Sequence, residues 1–365
     1  MTERADRAQV LGYRIAEQGL RRRAKSLRQL DILQLGVQNT PPGSARLACA
    51  ARLPTIPTDL AGLPVVWSYR ISPHLHDAAG LPGLAAALLP STEAAAVTRL
   101  SWPRARLAAT GMSAMAVIEQ ATSAMAEVVT EPMTKGAASA AISKRVDESL
   151  TGWCGGCKSQ HIYESLFRLA ALPAGVRLDT ESGPLLLTPI ENWRRPPAEP
   201  AGLTAQANNY LRFLGPATIA EVADFLSVNK TELAANWPSD LVEVEVDGRV
   251  GWFPSDKLAA LRKPAEPPRV RLLPPGDPYL QSRDRQLIVP DAKAHKVLWR
   301  VLGNPGAMVV DGEILAAWRA KAAGRNRLEL VVEPFEALPS YIRADLEAEA
   351  ARLAEVRGVA EVVLI

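Results

Sequence analysis

The chain has 365 residues, of which 48% are hydrophobic, 5% aromatic and 22% charged. That apolar content is enough for two or three ordinary domains and excludes an intrinsically disordered chain. The net charge of +3 names no partner, and three cysteines exclude a disulfide framework and point to a cytoplasmic protein.

Ala and Leu dominate and aromatics are scarce, which favours helices over a large β-sandwich. The charge is unevenly spread. Residues 1–30 carry eight Arg/Lys against three acids, and Arg319, Lys321, Arg325 and Arg327 form a run with no acid inside it. Such patches on a near-neutral chain suit phosphate binding, although a solvated helix face has the same pattern. The polar start, Met1 to Arg7, lacks the apolar stretch of a signal peptide. No run reaches the roughly eighteen apolar residues of a membrane span.

In chain order, residues 6–33 read as helical, with apolar residues at helical spacing and no proline. Gln34-Leu35-Gly36-Val37-Gln38-Asn39-Thr40-Pro41-Pro42-Gly43 follows. If extended, it places Gln34, Gly36 and Gln38 on one face and turns Leu35 and Val37 into a core. Pro41, Pro42 and Gly43 then force a turn. The plainer alternative is a helix end followed by a turn with exposed glutamines.

Residues 44–53 read as a helix stopped by Pro54 and Pro57, and residues 64–71 as a strand leading into His74-Leu75-His76. Ala/Leu/Met-rich helices are predicted over 82–97 and 112–129. A short helix over 137–146 carries Ser139, Ser143, Lys144 and Arg145. Another helix is predicted over 160–172, then a hairpin joining 176–179 to 185–188 through Thr180–Pro184. Residues 193–200, rich in Pro and Arg, read as a linker.

The clearest unit comes next. A helix over 205–214 ends at Gly215-Pro216, Thr218 caps 219–226, and a third helix spans 229–236. The strands 242–246 and 249–253 flank Asp247-Gly248, a strong two-residue hairpin signal. Helix, turn, helix, helix, hairpin is the winged-helix plan, and 112–188 has the same order without sequence identity. Residues 262–276 read as loop. Beyond them a second hairpin turns at Asp311-Gly312, strand 328–332 extends it, and a helix over 339–357 precedes a last strand at 359–364. The expected fold is mainly α with small β-hairpins, an α+β chain of tandem winged-helix domains. Its segments are 1–110 with the glutamine motif, winged helices at 111–200 and 201–262, and a C-terminal α+β domain at 263–365.

Trp153-Cys154-Gly155-Gly156-Cys157 followed by His161 has the form Cys-x2-Cys-x3-His. That is three zinc-compatible ligands, for which Cys49 is the remaining cysteine. A structural zinc, a redox pair and two plain thiols at a turn all fit this spacing. No cofactor is otherwise required. His74 and His76 share a face if extended. They read either as phosphate or base contacts or as core-edge histidines.

Several stretches resemble the winged-helix DNA-binding proteins grouped with the AlkZ-like DNA glycosylases. They are Tyr210-Leu211-Arg212-Phe213-Leu214-Gly215-Pro216-Ala217-Thr218; Gly276-Asp277-Pro278-Tyr279-Leu280 with Arg283-Asp284-Arg285; Val309-Val310-Asp311-Gly312 with Trp318; and Val332-Glu333-Pro334-Phe335. Arg70 with His74-Leu75 resembles that family's Arg-x-x-x-His-Leu segment. The resemblance implies a C-shaped scaffold with a concave basic surface for double-stranded DNA. It also implies excision of bulky alkylated purines by N-glycosidic hydrolysis, in DNA repair or self-resistance to a genotoxin. In that family a Gln-x-Gln or Gln-x-Asp motif supplies the catalytic groups. Here Gly36-Val37-Gln38 keeps only the second glutamine and Gln34-Leu35-Gly36 only the first.

An N7-alkylguanine is cationic, so its glycosidic bond is already weakened. A glutamine oxygen that accepts from a water near C1′ is then a sufficient base, while its NH2 donates elsewhere. Gln38 is the first candidate for holding that water, Gln34 the second, and Asn39 an orienter. Candidate DNA contacts are Arg70, His74, Ser139, Lys144, Arg145, Arg249 at a wing tip, Arg283, Arg285 and Arg319. Partners are expected to be duplex DNA and its alkylated purine lesions, with no membrane and a monomeric chain. A non-catalytic winged-helix binder, acting as regulator or lesion sensor, is the alternative.

Overall fold

The computed structural model describes residues 2–60, 62–180 and 183–365. It is a mixed α+β protein whose contacts group into two compact units. One comprises residues 1–62, 208–222 and 239–365, the other 63–207 and 223–238.

In the first unit, the helix Arg7–Glu17 opens on a capping box: Asp6 accepts from the Gln9 N–H, and the Gln9 side chain from the Asp6 N–H. The helix expected over 6–33 stops after Glu17. Gly19 and Arg22 take left-handed backbone angles, and only 3-10 turns follow, at Leu27–Gln29 and Asp31–Gln34. The apolar spacing that suggested one long helix comes instead from Leu20, Leu27, Leu30, Ile32 and Leu33, buried one by one as the chain winds over the core.

Strands Val270–Leu273, Gly306–Val310, Glu313–Ala322, Arg327–Pro334 and Glu361–Leu364 form a sheet in that order. Neighbours are antiparallel until the last pair, which the helix Arg343–Arg357 makes parallel by carrying the chain back. The strand at 270–273 lies in a segment expected to be loop; its Val-Arg-Leu-Leu alternation is bounded by prolines that masked it. Both Asp-Gly turns are as expected. Asp247 and Gly248, like Asp311 and Gly312, have positive φ and join Val246 to Arg249 and Val310 to Glu313. Leu11, Ile15, Leu273, Tyr279, Ala307 and Val309 belong to one core, joining the first helix to this sheet.

In the second unit, strands run in the order Pro73–Leu75, Val65–Trp67, Val176–Asp179, Leu186–Pro189, Met133–Thr134, all antiparallel. The turn expected at Thr180–Pro184 contains residues 181 and 182, which lie outside the described residues. The helix expected over 82–97 is two, Leu81–Leu88 and Glu93–Leu100, because Pro90 interrupts it and Thr92 caps the second. The helix expected over 160–172 begins only at Glu164. Residues Thr151–Cys154 and Ser159–Ile162 form a hairpin, with the Gly-Gly pair in its turn.

Two stretches share one element order. After the helix Ala114–Val128, strand Met133–Thr134 leads into the helix Lys135–Ser143 and pairs with the last strand of its hairpin. After the helix Gly202–Leu214, Ala217 makes the equivalent bridge to Trp252, and Thr218 and Glu221 form a capping box that starts the helix Ile219–Leu226. Among the described residues no helix is long and apolar enough to cross a membrane.

Candidate active site

The glutamine stretch is not one extended strand. Gln34 ends a 3-10 turn, and only Val37 and Gln38 are in strand conformation. Between them Gly36 sits at φ 88°, a region that a side chain enters only with strain. Gln34 and Gln38 therefore do not share a strand face. Leu35 and Val37 point into the core as expected, both fully buried. Gly36→Gln, which would rebuild a Gln-x-Gln motif, is expected to cost about 1–2 kcal/mol of stability, measured by urea unfolding.

Gln38 is half-buried. Its carbonyl accepts from Ser44 Oγ at 3.1 Å, so its backbone is fixed to the start of the helix Ser44–Ala50. Asn39 is 4% exposed, and its Oδ1 accepts from the backbone N–H of Gly43 at 2.9 Å and of Ala45 at 3.2 Å. It ties down the turn that leads into that helix, and so orients Gln38 through the backbone. Gln34 is exposed. Its carbonyl accepts from Asn209 Nδ2 at 3.2 Å, and its side-chain oxygen lies 3.5 Å from an Arg212 nitrogen. Arg212 is in turn gripped by Glu17 and Asp31.

The loop at Gly276-Asp277 forms the other wall. A β-carbon on Gly276, at φ 74°, would stand 3.0 Å from the Thr40 carbonyl oxygen and 3.4 Å from the carboxamide carbon of Gln38. The amide thus lies against bare backbone. Asp277 holds this loop from below: fully buried, it makes a two-bonded ion pair with Arg52, at 2.8 and 2.9 Å. Arg52 also donates to the carbonyls of Gln18 and Ala48 and to Gln18 Oε1. A second buried pair, Arg14 with Asp284, is built the same way and adds a bond to the Gly215 carbonyl. Arg283 and Arg285 flank Asp284 in the sequence. Its hydrogen-bonded partner is Arg14, 270 residues away, with Arg249 at 3.8 Å. Chain proximity could not show either pair.

The remaining candidates are dispersed. Arg249, at the hairpin turn, is bonded to Glu221. Arg285 lies over the Trp299 ring at 5.0 Å, Arg319 donates to the Gly303 carbonyl, and the Arg283 N–H donates to Tyr210. In the second unit Arg70, at φ 54°, donates to the Phe225 carbonyl and stacks on its ring at 4.7 Å. Arg70 also lines a cavity of about 620 Å³ with Trp67, Arg99, Trp102, Arg106 and Arg168. Ser139 lies on the helix Lys135–Ser143, while Lys144 and Arg145 are exposed just beyond its end. Cys154, Cys157 and His161 come together, whereas Cys49 is fully buried in the helix Ser44–Ala50 of the first unit, its thiol pushed up to about 12 by burial.

His74 is 1% exposed. Its Nδ1 lies 2.9 Å from the Ser72 carbonyl and 3.1 Å from Ser68 Oγ, which also reaches His76 Nε2 at 3.0 Å. Among the described residues Nε2 of His74 has no hydrogen-bond partner. Burial first, then the Arg70 and His76 charges, hold its pKa well below the ordinary histidine value. The unfolded chain therefore takes up a proton near pH 6.5 that the folded chain refuses. Stability is complete above that pH and falls as pH drops below it, by up to about 1.4 kcal/mol per unit. Urea midpoints between pH 7 and 5 are expected to show this slope, and His74→Phe to remove it.

The chain thus combines two buried ion pairs, a half-buried carboxamide fixed through its backbone, and two stretches that share one helix-plus-hairpin order. The family model for AlkZ-like DNA glycosylases matches residues 34–356, and the chain belongs to that family. Membership supports glycosylase activity in general and implies a DNA substrate. The fold matches a solved structure of Streptomyces sahachiroi DNA glycosylase AlkZ over 100% of both chains, with a TM-score of 0.77 and 19% identity. No curated protein matches the sequence.

Proposed function

We propose that this chain is a DNA-repair or self-resistance glycosylase that hydrolyses the N-glycosidic bond of bulky N7-alkylated purines in duplex DNA, with Gln38 holding the attacking water. The observation that carries this reading is Gln38 itself. Ser44 fixes its backbone, Asn39 ties down the neighbouring turn, and its amide lies against the bare backbone of Gly276. A preset amide suits a reaction in which the leaving base is already cationic: the water needs orienting more than deprotonating. As the bond to the base breaks, the amide oxygen accepts from the water and the sugar develops oxocarbenium character. The neutral alkylated base departs, the water oxygen forms the new bond to C1′, and the proton that water loses passes to bulk solvent.

Gln34 is the second choice for this role because its side chain is exposed and already near Arg212. The DNA-facing groups are drawn from the exposed Lys144 and Arg145, from Ser139 beside them and from Arg319, in a tandem winged-helix scaffold. A regulator or lesion sensor without catalysis is the second reading, favoured by Gly36, whose backbone angle leaves no place for the family's other motif side chain. Base release from duplex DNA carrying a bulky N7-guanine adduct decides between them. Release that Gln38→Ala abolishes supports the enzyme, and salt-sensitive binding without release supports the sensor. Gly276→Ala, which crowds the Gln38 amide, is expected to lower release about tenfold while leaving binding intact, in line with small misplacements costing one to two orders of magnitude.

A further inference from the structure

Cys154 ends one strand of its hairpin and pairs with Ser159, while His161 pairs with Gly152. Side chains alternate along a strand and paired residues share a face, so His161 stands diagonally across from Cys154 on one side of the hairpin. The turn brings Cys157 round to the same place. The ligand atoms of the three residues lie within 4.8 Å of one another. Two further features go beyond proximity. Lys158, directly after the second cysteine, is held at φ 50°, a conformation that non-glycine residues adopt with strain and that closes the turn around the sulfurs. Nδ1 of His161 lies 2.9 Å from the Ile162 carbonyl; donating there, it leaves Nε2 as the lone-pair nitrogen. A carbonyl acceptor behind the imidazole is the usual support of a metal-bound histidine.

We propose that Cys154, Cys157 and His161 bind one zinc ion, two thiolates and an imidazole, with water in the fourth tetrahedral position. Binding releases the thiol protons and involves no redox change. The site is independent of the base-excision reading. Its base is already rigid: Ser143 Oγ accepts from the Ile162 N–H at 2.8 Å, and Gln160 Nε2 donates to Thr151 Oγ1 at 2.7 Å. Zinc would therefore fix the tip, where Trp153 is 71% exposed, rather than fold the domain. A disulfide between the two cysteines would leave the imidazole and its supporting carbonyl without purpose.

The test is metal content of the full chain, purified under reductant with any affinity tag removed. Mass spectrometry of the metal is expected to find close to one zinc per chain, and under a tenth of that in Cys157→Ser and His161→Ala. After chelation, titration with zinc sulfate against a chromophoric chelator should return one site per chain. Each variant should bind about 100-fold more weakly, as loss of a ligand predicts. Cobalt(II) added to the wild-type chain should give thiolate-to-metal charge-transfer absorption, which reads the site even if a variant fails to fold. Wild-type zinc affinity equal to that of the Cys157→Ser/His161→Ala double variant would overturn the proposal. So would a Cys154–Cys157 disulfide persisting under reductant, or cobalt bound without thiolate bands.

Discussion

Gln38→Ala is expected to lower the single-turnover rate of base release from an N7-guanine adduct by roughly 100-fold or more, the scale on which a positioned acid–base group contributes. Binding to the same duplex should change less than twofold, because the amide touches the water rather than the phosphates. The measurement is the appearance of alkali-labile abasic sites under enzyme excess. Gln34→Ala is the comparison. Gln34 is exposed and outside the strand that holds Gln38, so its loss should cost much less. Equal losses in the two variants would refute the assignment of the water to Gln38. Gln38→Glu separates the roles further: a carboxylate still accepts from water but cannot donate, so partial activity would show that accepting is the essential act.

The second large effect concerns stability. Arg52 and Asp277 are both fully buried, and removing one leaves the other charged and unpaired. Asp277→Ala is therefore expected to destabilise the chain by about 3–5 kcal/mol. The same change frees the loop that holds Gly276 against Gln38, so residual folded protein should also lose base release. The Arg52→Leu/Asp277→Leu double variant removes both charges and should recover much of the stability, since a buried ion pair exchanged for packed apolar groups is often neutral. Urea unfolding gives the first two numbers and the abasic-site assay the third. Recovered stability without recovered activity would establish that the pair serves to place the loop, not merely to hold the fold.

Much of the local structure was legible in the chain. The two Asp-Gly turns, the Thr218 cap and the order of helices and hairpin between 202 and 254 follow from short-range rules, and they hold because neighbouring residues alone satisfy them. One source of error was packing against distant elements. Apolar spacing over 6–33 suggested a helix, but burial against a distant sheet rewards apolar residues in turns equally. The Cys-x2-Cys-x3-His spacing was visible, but the expected helix over 160–172 hid the hairpin that brings its imidazole to the sulfurs.

By itself, the sequence determined the family, since membership depends on which residues occur and in what order. It also located the turns, because Gly, Pro and Asp act on the backbone next to them. Only the tertiary structure decided that Gln34 and Gln38 part company at a left-handed Gly36, and that Asp277 and Asp284 pair with the distant Arg52 and Arg14. The reason is that a buried charge takes whichever partner the packed core brings to it, and sequence separations of 225 and 270 residues carry no trace of that choice.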